Sequence, residues 1–213
     1  MTKPLLPWEV GPAHGVNAPA EAADRHLREH ATGRRLELCR GYLNVFQDEV
    51  RLPDGSLATR EFIEHAGAVA VLPLLDDGRV VLVRQFRYPV GRVLLELPAG
   101  RLEAGEDTLA CAQRELAEET GFVASEWAFG GEIHNAAAYS TESIWLWIAR
   151  GLVAGPQRLD AGEFVEVVQH SEAELDALQA QGGLPDVKTV IGLHVLQRWR
   201  AGARHLVWQP LAV

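Results

Sequence analysis

Cysteine is scarce in this chain: two in 213 residues, Cys39 and Cys111, far apart and without metal-ligand spacing. That excludes a disulfide-stapled scaffold and a thiolate metal knot, and in a reducing compartment both read as free thiols. Long apolar runs are missing too. The longest, such as Ala66 to Leu75, fall well short of the ~20 residues that span a bilayer, so no transmembrane segment is expected. The first ten residues carry two prolines and an acid where a secretory leader needs an unbroken apolar stretch, so the chain is expected to stay in the cytoplasm. A basic surplus is also lacking, with 20 Lys+Arg against 29 Asp+Glu and a net charge of −9. A nucleic-acid partner is therefore not expected. A phosphate-bearing small substrate would have to be met by local arginines or by divalent metal.

What is present suits a globular enzyme-sized unit. Apolar residues make up 47% and charged ones 23%, and a chain of this size buries about 70% of its unfolded surface. Residues 1 to about 34 read as irregular, with prolines at 4, 7, 12 and 19 and a weak helical stretch from Glu21 to His30. From Arg35 the texture changes. Leu36 to Phe46 roughly alternates, Pro53-Asp54-Gly55 reads as a turn, and Leu57 to His65 as a returning strand. Ala68 to Leu75 and Val80 to Gln85 flank a second turn, Asp76-Asp77-Gly78. Short strands are expected at Leu94–Leu97, Trp127–Ile133, Ser143–Ala149 and Phe164–Gln169. The run around Trp145 and Trp147 is apolar on both faces, which suits a central strand.

Helical periodicity is clear over Thr108–Thr120, stopped by Gly121, and over Ser171–Gln181, opened by a Ser171/Glu174 capping box. The third helix is Asp186–Trp199, with Val187, Val190, Ile191, His194 and Val195 at core spacing. These elements predict an α+β fold: a mixed sheet between helices, an α/β/α sandwich, plus a small N-terminal antiparallel layer. The expected division is 1–65 for that layer and 66–213 for the main domain.

The chemistry is concentrated between Gly100 and Phe122. On a helix starting near Asp107, Glu115, Glu118 and Glu119 fall within about a 100° arc. Leu109, Ala112 and Leu116 lie on the neighbouring arc, and Arg114 stands where it can orient a carboxylate. Three carboxylates on one face raise one another's pKa, and a cation among them relieves that cost. Hard divalent metal with oxygen ligands is the natural candidate. Read alone, Glu-x-x-Glu-Glu also suits a solvated acidic face.

The complete pattern is G-x5-E-x7-R-E-U-x-E-E-x-G-U, with U a bulky apolar residue, met at every position from Gly100 to Phe122. The chain thereby resembles the Nudix hydrolases. Val83-Arg84-Gln85-Phe86-Arg87, Leu95-Glu96-Leu97-Pro98-Ala99-Gly100 and Asp186-Val187-Lys188-Thr189 look like the ADP-ribose pyrophosphatase branch. That resemblance implies Mg²⁺ (Mn²⁺ as substitute) held by Glu115, Glu118, Glu119 and the Ala99 carbonyl. It implies an N-terminal layer that swaps in a homodimer, and a nucleoside diphosphate sugar as substrate. Arg60, Arg87 and Glu96 match substrate-contacting positions, although Glu96 also suits a strand-end cap. By position Glu142 matches the general base, with Glu163 as the other candidate. The implied reaction is hydrolysis of ADP-ribose to AMP and ribose 5-phosphate. Ala136-Ala137-Ala138 stands where the branch commonly has Ser-Pro-Gly, which leaves GDP-mannose or another nucleotide sugar open. An isomerase on the same fold would need a reactive thiol such as Cys111.

Overall fold

The computed structural model describes residues 25–211; the prolines at 4, 7, 12 and 19 and the start of the Glu21–His30 stretch lie outside them. The described chain divides into two units, one of residues up to His65 together with Ala136–Thr141, the other of Ala66–Asn135 and the chain from Glu142 onward.

The first unit is a three-stranded antiparallel sheet, β1 (His30–Arg40), β2 (Asn44–Arg51) and β3 (Leu57–Glu64), in that order. The roughly alternating run from Leu36 to Phe46 is interrupted at Gly41–Leu43, where the chain reverses between β1 and β2. On β2 every second side chain (Phe46, Asp48, Val50) is buried. Asp48 is compensated by Arg35, which donates to it through Nε at 2.7 Å and Nη2 at 2.8 Å. The Arg35 guanidinium also lies over Phe46 and Phe62, at 4.9 and 5.4 Å from the ring centroids. Thr141 donates its backbone N–H to Ile63 and Ile63 donates to Tyr139, so the Ala136–Thr141 segment is fastened to β3.

The second unit is built on β4 (Ala68–Pro73), β5 (Val80–Arg87), β6 (Arg92–Glu96), β7 (Ala99–Arg101), β8 (Phe122–Ile133), β9 (Ile144–Ala154), β10 (Val165–His170) and β11 (Trp208–Pro210). Its helices are α1 (Thr108–Thr120), α2 (Glu172–Ala180) and α3 (Val187–Arg200). One sheet runs β11-β8-β9-β4-β7, with β4 and β9 parallel and the other pairs antiparallel; a second runs β10-β5-β6. The period of two in β4 and β9 sorts their side chains onto two cores. Val69, Val71, Trp147 and Ala149 pack with Cys111, Ala112 and Leu116 of α1. Ala70, Leu72, Leu146 and Ile148 pack with Leu193, Val195 and Leu196 of α3. The unit is thus the α/β/α sandwich expected, with β9 central and apolar on both faces.

Helix α3 departs from the periodicity in one respect. Its buried face is Lys188, Thr189, Gly192, Leu193, Val195 and Leu196, turned by one residue from the expected face, and His194 is exposed. The reason is steric and polar together. Gly192 comes so close to Leu97 that a Cβ there would lie 2.6 Å from the Leu97 side chain. Lys188 and Thr189 meet buried partners described below. Leu146 is fully enclosed in this core, so Leu146→Ala should cost about 2–5 kcal/mol in urea unfolding. A loss under about 1 kcal/mol contradicts this packing.

Candidate active site

Helix α1 is set by its ends and its apolar stripe. Asp107 caps it, accepting from the backbone N–H groups of Leu109 and Ala110 at 2.9 and 3.3 Å. Gly121 ends it at φ 74°, where a Cβ would lie 2.4 Å from the Gly155 carbonyl oxygen. With Cys111, Ala112 and Leu116 pinned to the sheet, Glu115, Glu118 and Glu119 share an adjoining face. Glu115 and Glu119 are themselves largely buried, at 9% and 3% exposure.

Arg114 is the hub of this face. Its Nε and Nη2 hold Glu106 at 2.9 and 3.0 Å, its Nη1 reaches Glu115 at 2.6 Å and Glu118 at 3.0 Å, and Nη2 also meets the Arg101 carbonyl at 3.1 Å. The Arg114 bond holds Glu106 down at about 2. Glu115 goes the other way: burial raises it above its ordinary value in spite of Arg114. Glu119 is out of Arg114's grasp. Burial pushes it up to about 8, against the Ala99 backbone N–H that donates to it at 3.0 Å. Gly100 lies directly against Glu115, and a Cβ there would fall 1.9 Å from that carboxyl carbon.

A second polar cluster lies at the end of β5 and β6. Glu96, 1% exposed, accepts from Arg87 Nε at 2.8 Å and Nη2 at 2.9 Å. Lys188 Nζ contacts the same carboxylate and also Asp186, at 2.9 Å. Asp186 in turn caps α3, accepting from the Thr189 N–H at 2.9 Å and its hydroxyl at 2.6 Å. Arg87 remains 39% exposed along its side chain, and the charges of Glu119 and Asp186 both bear on it. The structure therefore brings Arg87 and Glu96 together beside the helix carboxylates.

Of the two candidate bases, Glu163 enters the same field: its charge raises both Glu115 and Glu119. Its loop is tied to the last turn of α1, where Arg158 N–H donates to the Glu118 carbonyl at 2.9 Å and the Gln157 side chain to that of Glu119 at 2.6 Å. Glu142 is half-buried in the loop just before β9. Arg60 belongs to the first unit, where it pairs with Glu29 and, with Phe62, Tyr139, Ala137 and Ala138, lines a cavity of about 820 Å³. Burial pushes the Cys111 thiol up to about 12, so it is no nucleophile at neutral pH and the isomerase reading lapses. Lys188, Asp186 and Thr189 were visible in the sequence only as a family signature, and nothing there marked Lys188 as buried.

The donors on α1 are oxygens only, the set that hard divalent cations take. Among the described residues no three His, Cys, Asp or Glu side chains are already gathered to hold an ion, since Arg114 draws in Glu115 and Glu118. Glu119 still fits such a cation: it is a carboxyl that ionises reluctantly because burial strips its charge of water, and Arg87 offsets that only in part. A carboxyl held above its ordinary value near 4.5 favours the fold while protonated. Its contribution is complete below that value and is lost as pH rises through about 8. In chelator the melting temperature should therefore fall between pH 5 and 8, Mg²⁺ should restore it, and Glu119→Gln should flatten the fall. A melting temperature that rises with pH over that range contradicts the assignment. Gly100→Ala, which drives a methyl into Glu115, should cut kcat/KM by about 10²-fold or more with the fold retained on circular dichroism.

The family described as NUDIX domain matches residues 64–189. The chain is 34% identical over 157 residues to an ADP-ribose pyrophosphatase of Bacillus subtilis strain 168, covering 73% of this chain and 85% of that protein. It is 36% identical over 155 residues to a methanol dehydrogenase activator of Bacillus methanolicus, covering 70% and 82%. Its fold is that of a crystal structure of ADP compounds hydrolase, with a TM-score of 0.72 at 22% identity over 81% of this chain and 95% of that one. A complete box running through one capped helix, with Glu106, Glu115 and Glu118 gathered about Arg114, and a family match across more than half the chain make this protein a member of the Nudix hydrolase family.

Proposed function

We propose that the protein hydrolyses the pyrophosphate bond of ADP-ribose, adding one water to give AMP and ribose 5-phosphate. The observation that carries this reading is the juxtaposition of the α1 carboxylates with Arg87, whose guanidinium is fixed on Glu96 by one edge and offers the other to an anion. Support for the substrate comes from the Bacillus subtilis relative, an ADP-ribose pyrophosphatase.

In this reading Glu115, Glu118 and Glu119, with the Ala99 carbonyl, hold Mg²⁺, or Mn²⁺ in its place. The ion supplies positive charge against the pyrophosphate and makes a nearby water more acidic. Arg87 binds a phosphate oxygen through a charge-assisted hydrogen bond, and Arg60 of the first unit contributes a second substrate contact. Arg114 keeps Glu115 and Glu118 in place while substrate enters. Glu163, facing the α1 carboxylates and tied to the end of that helix, takes the proton from water; Glu142 is the competing base. The first unit's exposed Leu36, Leu38 and Leu57 suit burial in a homodimer. The working compartment is the cytoplasm.

A panel of ADP-ribose, ADP-glucose, GDP-mannose and NADH with Mg²⁺, read as phosphate released by coupled phosphatase, tests the substrate. ADP-ribose should exceed the others in kcat/KM by tenfold or more. Preference for another sugar moves the specificity to the Ala136–Ala138 segment, and no hydrolysis of any of them refutes the reading. Glu115→Gln and Glu119→Gln should each lower kcat by about 10³-fold or more. Glu163→Gln should lower kcat at least tenfold further than Glu142→Gln; the reverse order returns the base to Glu142.

A further inference from the structure

We infer that Lys188, at the start of α3, is a positioning residue for the Nudix reaction: by anchoring Glu96 from behind, it holds the Arg87 guanidinium in the orientation that meets substrate. The inference rests on the role proposed above for Arg87.

Lysine is rare here. The chain carries two, Lys3 and Lys188, against eighteen arginines. Lys188 is 8% exposed, on a helical face that is otherwise apolar or small. Such a cation is costly to bury without partners, and it has two. Its Nζ contacts Glu96, and Asp186 accepts from it at 2.9 Å. Glu96 is likewise enclosed and takes two positive partners, Lys188 on one side and the Nε/Nη2 edge of Arg87 on the other. The carboxylate stays below its ordinary pKa because of these partners, Arg87 first among them, and in spite of burial.

The geometry divides the labour. Arg87 alone among the three reaches solvent appreciably, with 39% of its side chain exposed against 2% for Glu96 and 10% for Lys188. Lys188 therefore does not touch a substrate bound at the surface. What it fixes is the position of the Glu96 carboxylate, and a bidentate arginine follows the plane of the carboxylate it grips. The same helix end has a second grip on this strand: the Thr189 hydroxyl, donating to Asp186, accepts from the Leu97 N–H at 2.8 Å. Two residues on, the Ala99 N–H donates to Glu119. The start of α3 thus steadies both edges of the site, and Lys188 is the side chain that ties it to Arg87 through the Glu96 carboxylate.

The test is a double-mutant cycle on ADP-ribose hydrolysis with Mg²⁺, using Lys188→Met, Arg87→Ala and the double variant. Lys188→Met should raise KM about tenfold with kcat within threefold of wild type. Because the effect passes through Arg87, the double variant should match Arg87→Ala within twofold. If the two losses instead multiply, or if Lys188→Met lowers kcat and leaves KM alone, the positioning role is overturned while Arg87's own role stands. If Arg87→Ala is without effect, the substrate role of Arg87 falls and this inference with it. Should Lys188→Met fail to fold, Lys188→Gln, which keeps a donor but no charge, enters the same cycle with the same expectation of non-additivity.

Discussion

The site depends on one arginine among carboxylates. Arg114 sits where three acids of α1 and its preceding loop would repel one another, and it bonds to Glu106, Glu115 and Glu118 at once. Bidentate contact to Glu106 fixes the guanidinium plane, and the remaining edge is then committed to the two helix carboxylates. A lysine in its place could supply charge but not this fork. Glu119 escapes the arrangement, and its raised pKa marks where positive charge is still wanted.

Backbone constraints set the distances around that hub. Gly100 lets β7 pass against the Glu115 carboxylate, and Gly121 lets the chain turn beneath the Gly155 carbonyl. The loop that follows is then tied back to α1 through Arg158 and Gln157, which keeps Glu163 near the acids. On the other side, α3 clamps the β6–β7 connection through Thr189 and Lys188. The helix and strand ends that carry chemistry are therefore each held by at least one buried polar contact.

Much of this could be read from the residues alone. The α1 box was legible because capping, glycine stops and a 3.6-residue period are local properties, and the structure keeps them at the same residues. The two faces of β9 were legible for the same reason, as an apolar run without alternation. The face of α3 was not. Apolar periodicity pointed to Val187 and His194, whereas Lys188 and Thr189 are buried by partners 92 positions away in sequence, Glu96 and Leu97. The break between β1 and β2 was missed because alternation continues through the turn, and β7 and β11 because three residues carry no period. Glu163 stands out only in the folded chain, where the loop before β10 is tied to the end of α1 and its charge bears on Glu115 and Glu119.

The proposed divalent-cation site is formed by the α1 carboxylates, with Glu119 at its core. Mn²⁺ titration followed by electron paramagnetic resonance tests it without reference to substrate. Wild type at pH 8 should bind Mn²⁺, and Glu119→Gln should weaken binding by tenfold or more, while Glu142→Gln, outside the helix, should leave it unchanged. Equal Mn²⁺ affinity in wild type and Glu119→Gln would contradict the claim.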